Sequence, residues 1–299
     1  MSPTNLAIVL LVAGNFVAAL SDVAVKLLDG GVPPFQYVFL RQLVAVMLLL
    51  PLWLRLNRQQ RQLTNPGATL LRSHLIILGS GCMIVSLTYL PLATANAVFY
   101  TAPLLMLPLS KWLFGERPPA DKLLATLIGF AGVLVLLRPS QFHWAALFAL
   151  GTALTVALYN LLSRKLPLEQ PLLTTLFWTS LLSLPLSSLL AWWYWQPVAS
   201  GQLGLIASSA LLILTYNGLA VQAYKNEPAA NIALSEYSGL VFVALFGLWW
   251  FDEVPTPLSL VGMLLIVLAI FPYRDWQARR KARSLAATEA SVRQSEEHH

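Results

Sequence analysis

Long apolar runs follow one another along almost the whole chain, separated by short connections. A helix that crosses a bilayer needs about 20 mostly apolar residues, and runs of this kind are bounded here by charged residues, prolines or glycines. Ten such spans are predicted, at residues 4–28, 34–54, 70–90, 94–114, 121–138, 143–163, 171–193, 203–224, 229–251 and 257–273. The pattern therefore predicts an all-α integral membrane protein with ten transmembrane helices.

Composition narrows the class of protein. Of the 299 residues, 57% are hydrophobic and 11% are charged, with a mean hydropathy of +0.67. An ordinary soluble domain is about 25% charged, and a soluble chain of this size still needs a polar exterior. The composition excludes a soluble enzyme, a nucleic-acid-binding domain and a disordered chain. The single cysteine, Cys82, excludes a disulfide framework and a multi-cysteine metal site.

Basic residues are distributed unevenly about the ten predicted spans. Of the 19 lysines and arginines, only Lys26 and Arg138 fall on one side of the membrane, and Arg41 falls inside a span. All the others, Arg72 among them, fall on the side that holds both termini. The positive-inside rule therefore predicts cytoplasmic N- and C-termini. The same asymmetry accounts for the net charge of +6 without an acidic partner.

The two halves of the chain resemble each other. Segments 19–22, 34–35, 95–96 and 114–118 recur in the same order, at a nearly constant offset, as 157–160, 171–172, 230–231 and 251–255. Each half holds five spans, an odd number, so the second half must enter the membrane from the opposite face. We predict a first repeat at 1–138, a second at 139–273 and a basic cytoplasmic tail at 274–299. Inverted repeats are typical of secondary transporters, which bind substrate between the halves.

Several scaffold motifs carry a resemblance to a known family. Arg41 in a Phe-Leu-Arg triplet, the Gly-Glu-Arg-Pro turn at 115–118 and Ala-Gly-Val at 131–133 resemble the drug/metabolite transporter (DMT) superfamily of the EamA type, over residues 1–273. Within it, the chain is most similar to YddG-like bacterial aromatic amino acid exporters. The resemblance implies a bacterial inner-membrane carrier that exports amino acids, including aromatic ones, and related metabolites. An exporter of other amphipathic metabolites or drugs, and a passive facilitator or channel, are the alternatives.

Polar side chains inside the outer halves of spans one and two are candidates for a substrate site, because burying such groups in a bilayer is costly. Asp22 and Arg41 lie at similar predicted depths, and Tyr37 precedes Arg41 by one helical turn. One interpretation is a structural salt bridge between neighbouring helices. The other is that Arg41 meets a substrate carboxylate, or forms an outer gate with Asp22.

Spans four and nine carry polar stripes at helical spacing. The stripes comprise Asn96, Tyr100 and Pro103 on span four and their repeat mates Asn231, Ser235 and Ser238 on span nine. They predict either a cavity lining or hydrogen bonding between closely packed helices. We also expect prolines to kink span four, at Pro103 and Pro108, and span seven, at Pro185.

The inner half of the predicted bundle holds the remaining candidates. Trp178 occupies the position that corresponds to Arg41, and its ring is expected either to stack on an apolar substrate or to pack in the core. Glu236 is the candidate for proton coupling, the alternative being a neutral side chain hydrogen-bonded to a neighbour. Further candidate cavity residues are Thr152, Thr155, Tyr159, Asn160, Tyr216 and Asn217.

The sequence offers no motif for catalysis or ATP hydrolysis. It has neither an H-E-x-x-H pattern nor a Gly-Lys-Ser/Thr phosphate loop. Sparse polar groups, without rings of like charge, argue against an ion channel. They favour a mostly hydrophobic cavity for uncharged or zwitterionic small molecules. We therefore predict no catalytic residues, no metal and no cofactor. The expected partners are a small-molecule substrate and the lipid bilayer, with the oligomeric state left open.

Overall fold

A computed structural model describes residues 3–115, 143–163, 165–166, 169–226 and 238–270, together with 127, 128, 131, 132 and 135. Within these residues the regular elements are all α-helices. They are α1 (Pro3–Lys26), α2 (Pro34–Trp53), α3 (Arg58–Arg61), α4 (Pro66–Tyr89), α5 (Leu92–Phe99), α6 (Ala102–Phe114), α7 (Ala145–Ser163), α8 (Leu172–Trp193), α9 (Ser200–Asn226), α10 (Ser238–Phe251) and α11 (Pro257–Ile270).

Helix length and hydropathy confirm a membrane protein. Within the described residues, 7 helical stretches are long and apolar enough to cross a bilayer, and α10 is apolar but shorter. The seven are Asn5–Lys26, Pro34–Trp53, Pro66–Tyr89, Leu92–Leu113, Ala145–Leu162, Leu172–Trp193 and Ser200–Ala220. Most of predicted span five, part of predicted span nine and the tail after 270 lie outside the described residues. The full ten-span arrangement thus stays a prediction.

Predicted span four consists of two helices rather than one kinked helix. Helix α5 ends at Phe99, and α6 begins at Ala102 with Pro103 in its first turn. A proline is tolerated there because the first backbone N–H groups of a helix have no partner within it. The expected effect of Pro103 therefore takes the form of a break, whereas Pro108 and Pro185 lie inside α6 and α8.

Helix α4 begins at Pro66, earlier than the predicted start at 70. Asn65 caps it, because its side chain accepts a hydrogen bond from the Ala68 N–H (3.2 Å), and a proline suits the first helical position. Arg72, which the charge count grouped with the cytoplasmic residues, lies inside α4, and its side chain is buried in the bundle.

Helix packing joins the two predicted halves. Helix α1 packs along α9, α4 along α7, α2 against α8, and α5 against α10. The α4–α7 contact is especially close at Gly79, where a Cβ atom would lie 2.5 Å from Thr155 Oγ1, and at Gly151, where one would lie 3.1 Å from Cys82 Sγ. These contacts make α4 and α7 one wall of the bundle.

The apolar core is concentrated at one end of the bundle, which we call the closed end. It is built from the C-terminal parts of α1 and α4, the N-terminal parts of α2, α7 and α9, and helices α5 and α10. Polar contacts reinforce this end. Lys26 forms a salt bridge with Glu253 (2.9 Å). The Gln36 side chain donates from Nε2 to the backbone carbonyl of Gln196 (2.8 Å) and accepts at Oε1 from the Gln196 backbone N–H (3.1 Å). The closed end thus holds most of the buried apolar core and the contacts that join its helices.

Candidate functional site

A cavity of about 440 Å³ lies between the helices in the half of the bundle away from the closed end. We call it the central cavity. Its wall is formed by the middle of α2, the N-terminal parts of α4 and α8, and the C-terminal parts of α7 and α9. A cavity of this size lies in the range of small-molecule binding sites.

Most of the surface that lines the cavity is apolar, although about half of the lining residues carry a polar side chain. The larger apolar residues on the wall are Leu75, Ile76, Met83, Val156, Leu172, Leu176, Ile213 and Leu214. Several wall hydroxyl groups are engaged with their own helix; Thr155 Oγ1, for example, donates to the backbone carbonyls of Gly151 (3.0 Å) and Thr152 (2.9 Å). The wall therefore suits a molecule with a substantial apolar part and few polar groups.

The structure brings several of the residues singled out from the sequence to this wall. They are Arg41, Thr152, Thr155, Tyr159, Asn160, Tyr216 and Asn217. Arg41 comes from α2, the next four from α7 and the last two from α9. Their shared position is a geometric result, and their contact with substrate stays a prediction.

Arg41 lies where the cavity meets the closed end. Its Nη1 donates to Tyr37 Oη and to Ser80 Oγ, both at 3.4 Å. The Tyr37 hydroxyl lies 3.1 Å from Ser209 Oγ, which lies 2.9 Å from Ser21 Oγ. Tyr37 is fully buried behind Arg41 and is not part of the cavity wall. This chain of hydroxyl groups links α1, α2 and α9 across the end of the cavity.

The salt bridge expected between Asp22 and Arg41 is not formed. Among the described residues the ion pair is Lys26–Glu253, and Asp22 and Arg41 do not form one. The predicted ion pair is wrong, because Arg41 instead donates to the neutral hydroxyl groups of Ser80 and Tyr37. Only Arg41 of the two lies on the cavity wall.

The polar stripe of predicted span four serves helix packing where the structure describes it. Asn96 donates to Leu92 O (3.2 Å) besides contacting Asp22 of α1, and the Tyr100 hydroxyl lies against Gly239 of α10. Neither residue reaches the central cavity. On predicted span nine, Ser238 accepts a hydrogen bond from Asn15 Nδ2 (3.1 Å). Asn231, Ser235 and Glu236 lie outside the described residues, so their roles stay predictions.

Trp178 packs in the core and does not reach the cavity. Its Nε1 donates to the backbone carbonyl of Arg61 (2.8 Å), and its ring makes edge contacts with Trp53 (5.9 Å between centroids) and Phe177 (5.8 Å). These contacts favour the packing interpretation over stacking on a substrate. Trp178 and Arg41 occupy corresponding positions in the two repeats, but their environments differ. Arg41 lies on the cavity wall, whereas Trp178 is packed against Trp53 and Phe177.

Arg72 is the charged cavity residue that the sequence interpretation missed, together with the neutral polar residues Gln42, Ser80, Thr175, Thr179 and Ser180. Its side chain is 5% exposed, its guanidinium carbon lies 4.0 Å from the centroid of the Tyr159 ring, and its Nε has no hydrogen-bond partner. Helical spacing could have predicted its position, because Arg72, Gly79 and Ser80 fall on one face of α4. The count of positive charges hid it by grouping Arg72, near the start of predicted span three, with the cytoplasmic residues.

The site is equipped to bind a solute. Among the described residues, no group of three or more His, Cys, Asp or Glu side chains is arranged to hold a metal ion. The cavity offers cationic, hydroxyl and aromatic groups around an aliphatic space. A helical membrane bundle with a small-molecule cavity between its helices is the architecture of a solute transporter.

Comparison with known proteins identifies the family. A model of the EamA-like transporter family matches residues 5–138 and, a second time, residues 143–272. The chain belongs to this family, and with it to the drug/metabolite transporter superfamily. It is therefore a multi-pass membrane transporter and not an enzyme.

Relatives named for different substrates resemble the chain over most of their length. It is 25% identical over 257 residues to an S-adenosylmethionine uptake transporter of Rickettsia prowazekii, covering 84% of this chain and 86% of the relative. It is 28% identical over 289 residues to a riboflavin transporter of Vibrio cholerae (94% and 96%). It is 24% identical over 273 residues to the pseudopaline exporter CntI of Pseudomonas aeruginosa (88% and 93%). Uptake and export both occur among these names, so family membership sets neither direction nor substrate.

A solved structure shares the fold. A crystal structure that is 21% identical in sequence aligns with a TM-score of 0.60, over 93% of this chain and 98% of that chain. At this level of identity the likeness concerns the fold alone.

Proposed function

We propose that the chain is a secondary transporter that exports amino acids, including aromatic ones, and related small metabolites across the bacterial inner membrane by alternating access. The observation that carries the proposal is the central cavity: an aliphatic space of about 440 Å³ with arginine and tyrosine side chains on its wall, sealed on one side by the closed end. An amino acid has the matching groups, a carboxylate for an arginine and an apolar side chain for the wall.

Two inverted five-helix repeats, at 1–138 and 139–273, are part of the proposal. Three observations support them. The family model matches twice, at 5–138 and 143–272. Helix contacts come in related pairs, since α1 packs on α9 and α10 as α7 packs on α4 and α6. Gly115 and Asp252 follow corresponding helices, and both have left-handed backbone conformations, with φ of 68° and 52°. An Asp at such a position resembles the usual glycine at a helix C-terminus.

The proposed direction, export, rests on the family resemblance, and the proposed orientation is compatible with it. With both termini in the cytoplasm, α2, α7 and α9 end on the cytoplasmic side, and the central cavity lies in the cytoplasmic half of the protein. An exporter must load its substrate from that side. Exchange of conformation between two inverted repeats then opens the cavity to the opposite face.

A second candidate function is export of other amphipathic metabolites or drugs. The aliphatic wall favours it, because such a wall makes no specific demand on the shape of the apolar part. A relative named for riboflavin, whose similarity extends over 94% of this chain, also supports a broader range of compounds.

Counterflow in liposomes tests the proposal. Purified protein is reconstituted with unlabelled phenylalanine inside and labelled phenylalanine outside, and protein-free liposomes serve as the control. We expect saturable, transient accumulation of label. A pH gradient that accelerates the exchange in the parent protein, but not in Glu236→Gln, supports the proton-coupling role of Glu236. Flux that never saturates indicates a channel, and the absence of flux for any amino acid overturns the proposed substrate.

A further inference from the structure

Arg72 is a buried cation to which the described residues offer no counter-ion. Its side chain is 5% exposed. The salt bridge among the described residues joins Lys26 to Glu253, so Arg72 forms none with them. An arginine stays charged at physiological pH, and a buried charge is costly unless it is paired and hydrogen-bonded. The side chain instead lies over the Tyr159 ring, at 4.0 Å from the centroid, and its Nε donates to no protein group. Its hydrogen-bonding capacity is therefore available to a ligand.

The charge of the cavity points to the kind of ligand. Among the described residues of the cavity wall, Arg41 and Arg72 are the charged ones, and none is Asp or Glu. The two arginines differ in availability, since Arg41 already donates to Tyr37 and Ser80. Ser80 and Arg72 are eight residues apart on α4, which is about 12 Å along the helix axis. Arg72 thus lies at the opposite end of the cavity from Arg41 and its bonded hydroxyl groups.

We propose that Arg72, stacked on Tyr159, binds a carboxylate group of the substrate and makes that group a requirement for recognition. The planar guanidinium matches a carboxylate with two parallel hydrogen bonds. Tyr159 acts as a positioning residue, because its ring holds the guanidinium by a cation–π contact while leaving the N–H groups free. This inference rests on the proposed transport function and deepens it by assigning the substrate group that the cavity selects.

The first part of the test measures binding without transport. The purified protein is heated in detergent with pairs of compounds that share a phenyl body: 3-phenylpropionate and 3-phenylpropionamide, then phenylalanine and phenylalaninamide. A ligand that binds the folded protein raises its apparent melting temperature. We expect each carboxylate to stabilise the parent protein at a concentration about tenfold or more below its amide, because the amide lacks the charge-assisted bonds.

Variants then assign this preference to Arg72. In Arg72→Gln, the acid and its amide should stabilise the protein at similar concentrations. Arg72→Lys keeps the positive charge and should keep part of the preference for the acid. Tyr159→Phe retains the ring and should retain the preference. Arg58→Gln, which changes an exposed arginine of α3, is the matched control and should behave as the parent protein.

The second part repeats the comparison as competition in counterflow. If the parent protein exchanges phenylalanine but acids and amides compete equally, the assignment of Arg72 falls while the transport function stands. If no amino acid is exchanged but carboxylates still stabilise the parent protein and not Arg72→Gln, the assignment of Arg72 stands while the proposed substrate falls. Equal stabilisation by acids and amides, or an unchanged preference in Arg72→Gln, overturns the inference.

Discussion

At the scale of single residues, burial in the bundle gives similar side chains different roles. Arg41 and Arg72 both lie on the cavity wall, but Arg41 is hydrogen-bonded to two hydroxyl groups and Arg72 to none of the described residues. Asp22 is not part of the cavity wall. A charged or polar group inside a membrane needs a partner. If neighbouring protein groups bond to it, it serves helix packing; if they do not, it can bind a solute.

Some of these roles could be predicted from the sequence and others could not. Helical spacing correctly placed Thr152, Thr155 and Tyr159 on one face of α7, and that face lines the cavity. The pairing of Asp22 with Arg41 was wrong because equal depth does not reveal the hydroxyl groups of Tyr37 and Ser80, which accept the hydrogen bonds of Arg41. Arg72 was missed because it was grouped with the cytoplasmic charges at the start of predicted span 70–90, and the apolar pattern does not reveal that its side chain is buried.

Replacing Trp178 tests the packing role that the structure gives it. Trp178→Phe removes the N–H that bonds to Arg61 O, and the loss of one such hydrogen bond costs about 1–2 kcal/mol of stability. We expect a lower melting temperature in detergent and an unchanged KM for the transported substrate. Trp192→Phe, at a ring that is 81% exposed, is the matched control and should change neither quantity. A several-fold change in KM with unchanged stability would instead place Trp178 in the substrate path.

At the scale of helices, positions and types follow closely from the apolar pattern, while their ends and breaks depend on local chemistry. The described helices other than α3 fall on the predicted spans, because each span must place about 20 apolar residues in the bilayer. The break between α5 and α6 was expected only as a kink, since the sequence shows Pro103 but not how the chain turns at Tyr100 and Thr101. The short helix α3 was not predicted because its four residues are polar.

The close packing of α4 on α7 predicts a specific cost for enlarging Gly79. A Cβ atom there would lie 2.5 Å from Thr155 Oγ1, so the two helices must separate. Overpacking of this kind costs about 1–3 kcal/mol. We expect Gly79→Ala to lower the melting temperature, and the second change Thr155→Ala to restore most of the loss.

The control for Gly79 is Gly204 of α9, which has nothing within 4 Å of its added Cβ atom. Alanine is favoured over glycine in a helix by about 1 kcal/mol, so Gly204→Ala should leave stability unchanged or raise it. If Gly79→Ala is as well tolerated as Gly204→Ala, the helices do not pack as closely as described.

At the scale of the whole molecule, the protein is packed at one end and hollow at the other. The apolar core, the Lys26–Glu253 salt bridge and the Gln36–Gln196 hydrogen bonds all lie at the closed end. The central cavity occupies the other half. Composition and apolar runs predicted the membrane class, and the match between halves predicted a cavity between them. Which half of the protein holds the cavity could not be predicted, because inverted repeats allow the cavity to open at either face.

The central claim is that substrate passes through the central cavity, and blocking the cavity tests it most directly. Val156 and Leu154 lie on α7 with nearly equal exposure, 39% and 41%, but only Val156 lies on the cavity wall. Each is changed to cysteine in a Cys82→Ser background, and phenylalanine counterflow is measured before and after reaction with a bulky maleimide. We predict that labelling abolishes counterflow in Val156→Cys and leaves it unchanged in Leu154→Cys. Fully labelled Val156→Cys that exchanges substrate at its unlabelled rate would contradict the claim.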